Sequence, residues 1–141
     1  MDVSFFQPYS AWIDKNHRLL IVPHEIDEIF IKKIEYLCNK QNLYPKRYSK
    51  IINIKILPNV IIVDKIGILA DLYKYTILSY IGGGFCKGVH SVIEPSVYGS
   101  VVSFGTNIDI LDEAIEMHNN KIGFMVKNSN ELSSFYNFLN K

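Results

Sequence analysis

The chain has 141 residues, with 15 basic and 14 acidic side chains and a formal net charge of +1. This length is typical of a single domain, and a composition of 48% hydrophobic and 21% charged residues excludes an intrinsically disordered chain. The balanced charge gives no overall electrostatic basis for binding nucleic acid or an anionic membrane. We therefore expect one folded domain over residues 1–141 and no nucleic-acid partner.

Three further features favour a cytoplasmic protein. Cys38 and Cys86 are the only cysteines, which is too few for a disulfide framework, so reduced thiols are expected. No apolar run approaches the ~20 residues that are needed to cross a bilayer. The first residues also lack the basic start and apolar core of a signal peptide.

In the first half of the chain, short apolar runs precede a stretch of helical period. Residues 18–22 are predicted as a buried strand that ends at Pro23. From Glu25 onward the spacing predicts a helix. Residues 42–59 are polar and irregular, with a short strand predicted near residues 51–54. The predicted apolar stripe of the helix comprises Ile26, Ile29, Phe30, Ile34 and Leu37.

The second half continues the alternation of strands and helices. Gly99 is a predicted helix stop, and Asn128 with Glu131 is a predicted capping arrangement for the last helix. That helix is expected to bury Leu132, Phe135, Tyr136 and Leu139. The predicted strands are residues 60–63, 76–81, 101–104 and 122–126, and the predicted helices before the last are residues 64–75, 91–98 and 109–118.

This alternation predicts an α/β fold with a single Rossmann-like, doubly wound parallel sheet. Ligands of such sheets bind beyond the carboxyl ends of the strands. The loops predicted to form that rim are residues 23–24, 64–67, 82–90 and 105–107.

A run of three glycines, Gly82, Gly83 and Gly84, follows one of the predicted strands. Glycines let the backbone approach a ligand closely or adopt positive φ angles, and a helix start just beyond them would favour a phosphate. A flexible connector between strand and helix explains the run equally well. The run matches neither a Walker loop nor a dinucleotide fingerprint, so neither ATP nor NAD is indicated.

Four polar residues near this loop and the first strand are candidate ligand groups. Ser91 and Glu94 have the spacing of a capping box, although the Glu94 carboxylate is equally suited to accept hydrogen bonds from ribose hydroxyls. His90 ends the glycine loop and is a candidate for phosphate contact. His24 follows a strand and Pro23, where a surface role is as reasonable as a ligand role. No metal-binding or nucleophile motif occurs, so we expect no metal site and no cofactor.

Taken in order, these segments resemble the C-terminal domain of 3-deoxy-D-manno-octulosonic acid (Kdo) transferases. The resemblance covers nearly the whole chain and is most specific in the glycine loop followed by the His90-to-Pro95 motif. The stretches that carry it are residues 20–26, 63–73, 80–85, 87–95 and 101–105.

The resemblance implies half of a two-domain GT-B glycosyltransferase, with CMP-Kdo as the donor and a lipid A precursor as the acceptor. The implied CMP contacts are Pro23, His24, Ile66, Gly67, Ile68, Ser91, Val92, Ile93 and Glu94, and the implied phosphate loop is Gly82, Gly83, Gly84 and His90. The catalytic carboxylate and the acceptor site belong to the other domain, so no catalytic residue is assigned. The family works at the cytoplasmic face of the inner membrane, which makes peripheral membrane contact an expectation.

Two positions depart from the family pattern. The family usually has Asn at the position of Ser91 and often has Glu at that of Ile68. These departures leave a non-catalytic nucleotide-binding module of the same fold as an alternative. A UDP-sugar enzyme of the same architecture is another, and a flavodoxin-like regulator is disfavoured because no acidic cluster follows the first strand.

Overall fold

The computed structural model describes residues 17–83 and 91–139. The described chain divides after Gly67 into two compact units. The strands are β1 (Leu19–Ile21), β2 (Lys46–Arg47), β3 (Val60–Ile62), β4 (Leu78–Ile81), β5 (Val101–Phe104) and β6 (Gly123–Met125). The helices are α1 (Glu28–Lys40), α2 (Leu69–Tyr73), α3 (Ile93–Val97), α4 (Asp112–Asn119) and α5 (Ser129–Leu139).

The sheet of the first unit has three parallel strands in the order β1-β3-β2. Ile21 of β1 and Arg47 of β2 both lie opposite Ile62 of the central strand β3. All three residues of β3 are buried, and so is Val63 directly after it. A central strand that is flanked on both sides needs this continuous apolar run, as the sequence predicts.

Helix α1 begins one turn later than the sequence predicts. Asp27 is its N-cap, and the Asp27 carboxylate accepts a hydrogen bond from the amide of Phe30 at 2.9 Å. The helix packs Ile31, Ile34, Leu37 and Cys38 into a cluster with Ile62. The predicted position of Ile29 is wrong, because its side chain is 83% exposed: the buried face is centred on Ile34 and turned away from Ile29.

The segment between α1 and β3 also differs from its prediction. The strand lies at Lys46–Arg47 and is followed by a 3₁₀ turn at Tyr48–Lys50, whereas residues 51–54 form no strand. Ile52 and Ile54 are 71% and 44% exposed. Apolar composition predicted a strand here, but β2 is selected by pairing with β3 and not by apolar content.

The sheet of the second unit has three parallel strands in the order β4-β5-β6. Ile81 pairs with Phe104 at the ends of β4 and β5, and Phe104 pairs with Met125 of β6. Phe104 is fully buried. The core cluster around it comprises Ile81, Val92, Val102, Phe104, Ile108, Ala114 and Met117.

Two positions of this unit require glycine for structural reasons. A Cβ at Gly123 would lie 2.8 Å from the Phe104 ring and 2.9 Å from Cβ of Met117, so only glycine lets β6 approach the core this closely. Gly99 has a φ of +79°. Its amide donates to the carbonyl of Ser96 at 2.9 Å, and the amide of Ser100 donates to that of Pro95 at 3.1 Å. This is a Schellman motif, which confirms the predicted helix stop.

The predicted cap of the last helix is confirmed. The amide of Glu131 donates to the Asn128 side-chain oxygen at 3.0 Å, and the Glu131 carboxylate accepts a hydrogen bond from the amide of Lys127 at 2.8 Å. Leu132 and Tyr136 of α5 are buried, whereas Leu139 is 37% exposed. The cap therefore starts α5 in a register that turns Leu132 inward.

The α/β class with parallel strands is confirmed. The described strands pair as two three-stranded sheets, β1-β3-β2 in the first unit and β4-β5-β6 in the second. The single domain over residues 1–141 stays a prediction. Within the described ranges, no helix combines the length and the apolar character needed to cross a bilayer.

Candidate functional site

In the first unit, two loops leave the sheet at the same edge. Strands β1 and β3 run parallel, and the amide of Val63 donates to the carbonyl of Ile21 at 2.9 Å, which continues the ladder to the strand ends. Pro23 and His24 therefore emerge beside Asp64. Pro23 is buried and His24 is exposed, so the imidazole is accessible at this edge while the proline ring fixes the chain that carries it.

At this edge, Asp64 forms hydrogen bonds with the turn that follows β2. Its carboxylate accepts hydrogen bonds from the amide of Ser49, at 2.8 Å, and from the Ser49 hydroxyl. Burial raises the pKa of Asp64, but the hydrogen bonds from Ser49 and the charge of Arg47 outweigh it and lower the pKa below the usual value. The Asp64 carboxylate therefore stabilises the turn that contains Ser49.

A cluster of three charged side chains, which sequence reasoning missed, joins β2 to α1. The Arg47 guanidinium donates to both oxygens of Glu35, at 2.7 and 2.8 Å, and to both oxygens of Glu28, at 2.7 and 3.0 Å. Hydrogen bonds from Arg47 lower the pKa of Glu35 and of Glu28, and those carboxylates raise the pKa of Arg47. The seven-residue spacing of the two glutamates on one helix face was the available sequence signal.

Gly67 has a φ of +83°, which glycine adopts without strain and other residues rarely adopt. Ile66, just before it, is 84% exposed. Ile68 is half-buried and is the N-cap residue of α2, with no side-chain hydrogen bond to the helix. Ile66 and Gly67 therefore lie in a tight turn after β3, and their contact with a nucleotide stays a prediction.

In the second unit, Val92 fixes the start of α3 at the carboxyl ends of the strands. Val92 is fully buried in the cluster that contains Ile81 and Phe104, the last residues of β4 and β5. Its neighbours Ser91, Ile93 and Glu94 are exposed. The burial of Val92 leaves only its main chain available to a ligand.

Glu94 is not part of a capping box. Helix α3 begins at Ile93 with Val92 as its N-cap, and no side-chain hydrogen bond caps it. The predicted helix start at Ser91 is therefore wrong. The structure does not contain the capping box that the spacing of Ser91 and Glu94 indicated. Helix α2 contacts α3. Burial raises the pKa of Tyr73 on α2, and the negative charge of Glu94 raises it further.

The glycine run is described in part. Gly82 is exposed and Gly83 has a φ of +92°, so Gly83 uses a conformation that favours glycine. Both follow Ile81, at the edge of the sheet where the Val92 segment starts. Gly84 and His90, the other predicted phosphate contacts, lie outside the described residues.

The candidate site of the second unit thus combines an accessible backbone at Gly82 and Gly83 with the exposed Ser91 and Glu94. Backbone amides and a serine hydroxyl suit a phosphate, and a carboxylate suits sugar hydroxyls. Among residues 17–83 and 91–139, no group of three His, Cys, Asp or Glu side chains is arranged to hold a metal ion. The described groups of this candidate site are suited to hydrogen bonds with a ligand.

No family model matches the chain, but curated proteins do. A bifunctional glycosyltransferase/methyltransferase from Fusobacterium nucleatum is 37% identical over 83% of this chain and 19% of its own length. Two 3-deoxy-D-manno-octulosonic acid transferases are similar. The one from Aquifex aeolicus is 31% identical over 82% of this chain and 31% of its own length, and the one from Chlamydophila psittaci is 32% identical over 82% and 26%. The chain thus spans less than a third of each relative.

The fold matches the crystal structure of the C-terminal CMP-Kdo binding domain of WaaA from Acinetobacter baumannii. The TM-score is 0.81 at 16% sequence identity, over 95% of this chain and 72% of the other. This likeness confirms the predicted fold. The chain is related in sequence to the Kdo transferases, and it has the fold of that C-terminal domain.

Proposed function

We propose that this chain binds CMP-Kdo and is the donor-binding part of a glycosyltransferase that transfers Kdo to a lipid A precursor. The observation that carries the proposal is the burial of Val92 against Ile81 and Phe104. It supports the proposal because Ile81 and Phe104 are the last residues of β4 and β5, and parallel α/β sheets bind ligands beyond such strand ends.

Each group has a role in this proposal. The backbone at Gly82 and Gly83, with Gly84 and His90 beyond it, receives the phosphate. The Glu94 carboxylate accepts hydrogen bonds from the ribose hydroxyls. Ser91, Val92 and Ile93 complete the nucleotide contacts, with Val92 acting through its main chain because its side chain is fully buried.

Ile68 is proposed as a further nucleotide contact at the start of α2, while in the first unit the proposal assigns Pro23, His24, Ile66 and Gly67 to CMP. The exposure of His24 and Ile66 at the ends of β1 and β3 supports this. Each of the two units supplies its own set of contacts, and each set is testable by itself.

The proposed reaction follows from the donor. An acceptor hydroxyl attacks the anomeric carbon of Kdo, a new C–O bond forms, and the bond to the CMP phosphate oxygen breaks. A carboxylate from the part of the enzyme beyond this chain takes the hydroxyl proton. The proposed role of this chain is to hold the leaving CMP, and the proposed location is the cytoplasmic face of the inner membrane.

Calorimetric titration of the chain with CMP, UMP and UDP tests the ligand class. We expect CMP to bind more tightly than either uridine nucleotide. Glu94→Gln removes the charged acceptor and should weaken CMP binding by about 1–3 kcal/mol. Glu113→Gln is the matched control, because Glu113 is an exposed glutamate in the first turn of α4.

Two results would contradict the proposal. A preference for UMP or UDP would replace CMP-Kdo with a uridine-linked sugar. Equal CMP affinity for the wild type and a folded Glu94→Gln variant would remove Glu94 from the site.

A further inference from the structure

A loop of the first unit displays an unusual amount of apolar surface. Ile52, Ile54, Ile56 and Leu57 are 71%, 44%, 84% and 47% exposed. We name residues 51–57 the isoleucine loop. Asn53 in this loop has a φ of +53°, which turns the chain at that point. An apolar patch of this kind on a folded protein marks an interaction surface.

The charged residues of the chain segment that contains the isoleucine loop are of one sign. Residues 36–63 contain no aspartate or glutamate. Lys46, Lys50 and Lys55 are exposed, and none of the three forms an ion pair with a carboxylate of the described residues. Arg47 differs, because Glu28 and Glu35 neutralise it. The loop is therefore apolar at its centre and cationic at its margin.

The loop also borders an open cleft of about 520 Å³. The lining of the cleft is both apolar and cationic. It includes Ile51, Ile54, Ile56, Leu57 and Pro58 together with Lys46 and Lys50. Nearby, Tyr44 and Tyr48 are 67% and 40% exposed, and tyrosine rings favour the headgroup level of a bilayer.

We propose that the isoleucine loop docks this chain on a bilayer that contains anionic lipids, with Ile52 and Ile56 entering the interface and Lys46, Lys50 and Lys55 facing the headgroups. A lipid surface fits this chemistry better than a protein does. Lysine is depleted in protein–protein interfaces, whereas lysines beside apolar side chains are typical of segments that lie in the membrane interface.

Cosedimentation of the chain with lipid vesicles tests the proposal. Vesicles of phosphatidylcholine alone are compared with vesicles of equal parts phosphatidylcholine and phosphatidylglycerol. We expect binding to the mixed vesicles that weakens as salt rises, because salt screens the lysine charges. Replacing the three lysines by Gln should weaken binding on the order of a hundredfold, since each basic residue near such a surface contributes about fivefold.

Matched variants separate the loop from the rest of the surface. Ile52→Ser with Ile56→Ser should abolish most binding, whereas Ile77→Ser should not, although Ile52 and Ile77 are both 71% exposed. Lys33, Lys121 and Lys127 changed together to Gln lose the same charge elsewhere and should leave binding within about twofold of the wild type.

A second measurement locates the contact. Tryptophan in an Ile56→Trp variant should be quenched by brominated lipids, and tryptophan in an Ile77→Trp variant should be quenched less. The proposal is overturned by equal binding to both vesicle types, by equal losses in loop and control variants, by equal quenching at 56 and 77, or by no binding. None of these results depends on CMP, so nucleotide binding stands or fails separately.

Discussion

The two units have the same kind of sheet, three parallel strands each, and each has an apolar cluster, but the first unit adds charged contacts between its elements. In the first unit, β2 is tied to α1 by the Arg47 cluster and to β3 by the Ser49–Asp64 hydrogen bonds. In the second unit, the strand ends meet in an apolar cluster around Phe104. The first unit thus combines an apolar cluster around Ile34 and Ile62 with charged contacts, and the two units should respond to different perturbations.

The largest expected effect is in the second unit. Phe104→Ala should lower the free energy of unfolding by about 3–5 kcal/mol, because Phe104 is fully buried and its removal leaves a cavity between β5 and α4. Urea denaturation measures this change. Phe138→Ala is the matched control: Phe138 is 74% exposed, and its loss should change stability by less than about 0.5 kcal/mol. Similar losses in both variants would contradict the Phe104-centred core.

Breaking the Arg47 cluster should have a somewhat smaller effect on stability. Arg47→Ala should destabilise the protein by about 2–4 kcal/mol, because it leaves Glu35, which is partly buried, without its cation. Hydrogen exchange read by mass spectrometry should show the loss of protection within residues 17–67. Arg18→Ala, at an exposed arginine, is the control. If both arginine variants lose equal protection, the Arg47 cluster contributes nothing specific.

Lowering the pH should destabilise the first unit before the second, and this is the smallest of the expected effects. Folding lowers the pKa of Glu35 from 4.5, mainly through hydrogen bonds from Arg47, and that of Asp64 from 3.8, where Ser49 outweighs burial. A lowered pKa stabilises the fold above the unfolded value, and the gain is lost as pH falls through the folded value. Hydrogen exchange across this range should show residues 17–67 losing protection before residues 68–139, and Glu35→Gln should reduce that difference.

Much of this fold could be predicted from local patterns. The strands β3 and β5, the Gly99 stop and the Asn128–Glu131 cap each depend on residues close in the chain, where periodicity and capping rules apply directly. The candidate site was also predicted from a local pattern, since Gly82 and the Val92 segment are parts of one strand-to-helix connection.

What local patterns could not give are the features fixed by distant contacts. Arg47 lies 12 and 19 residues from its two carboxylate partners, so its role depended on the pairing of β2 with β3. The strand expected at residues 51–54 failed for the same reason: isoleucine content marks a strand only where a neighbouring strand is available, and Ile52 is exposed instead.

The burial of Val92 has an engineering consequence. Ile81 and Val92 belong to one packed cluster, so the connection between them is anchored at both ends by the same side chains. Grafting a connection of different length or composition between these anchors should leave Glu94 in place. In the proposed donor site, nucleotide preference would then be adjustable by exchanging a single short segment, with the scaffold untouched.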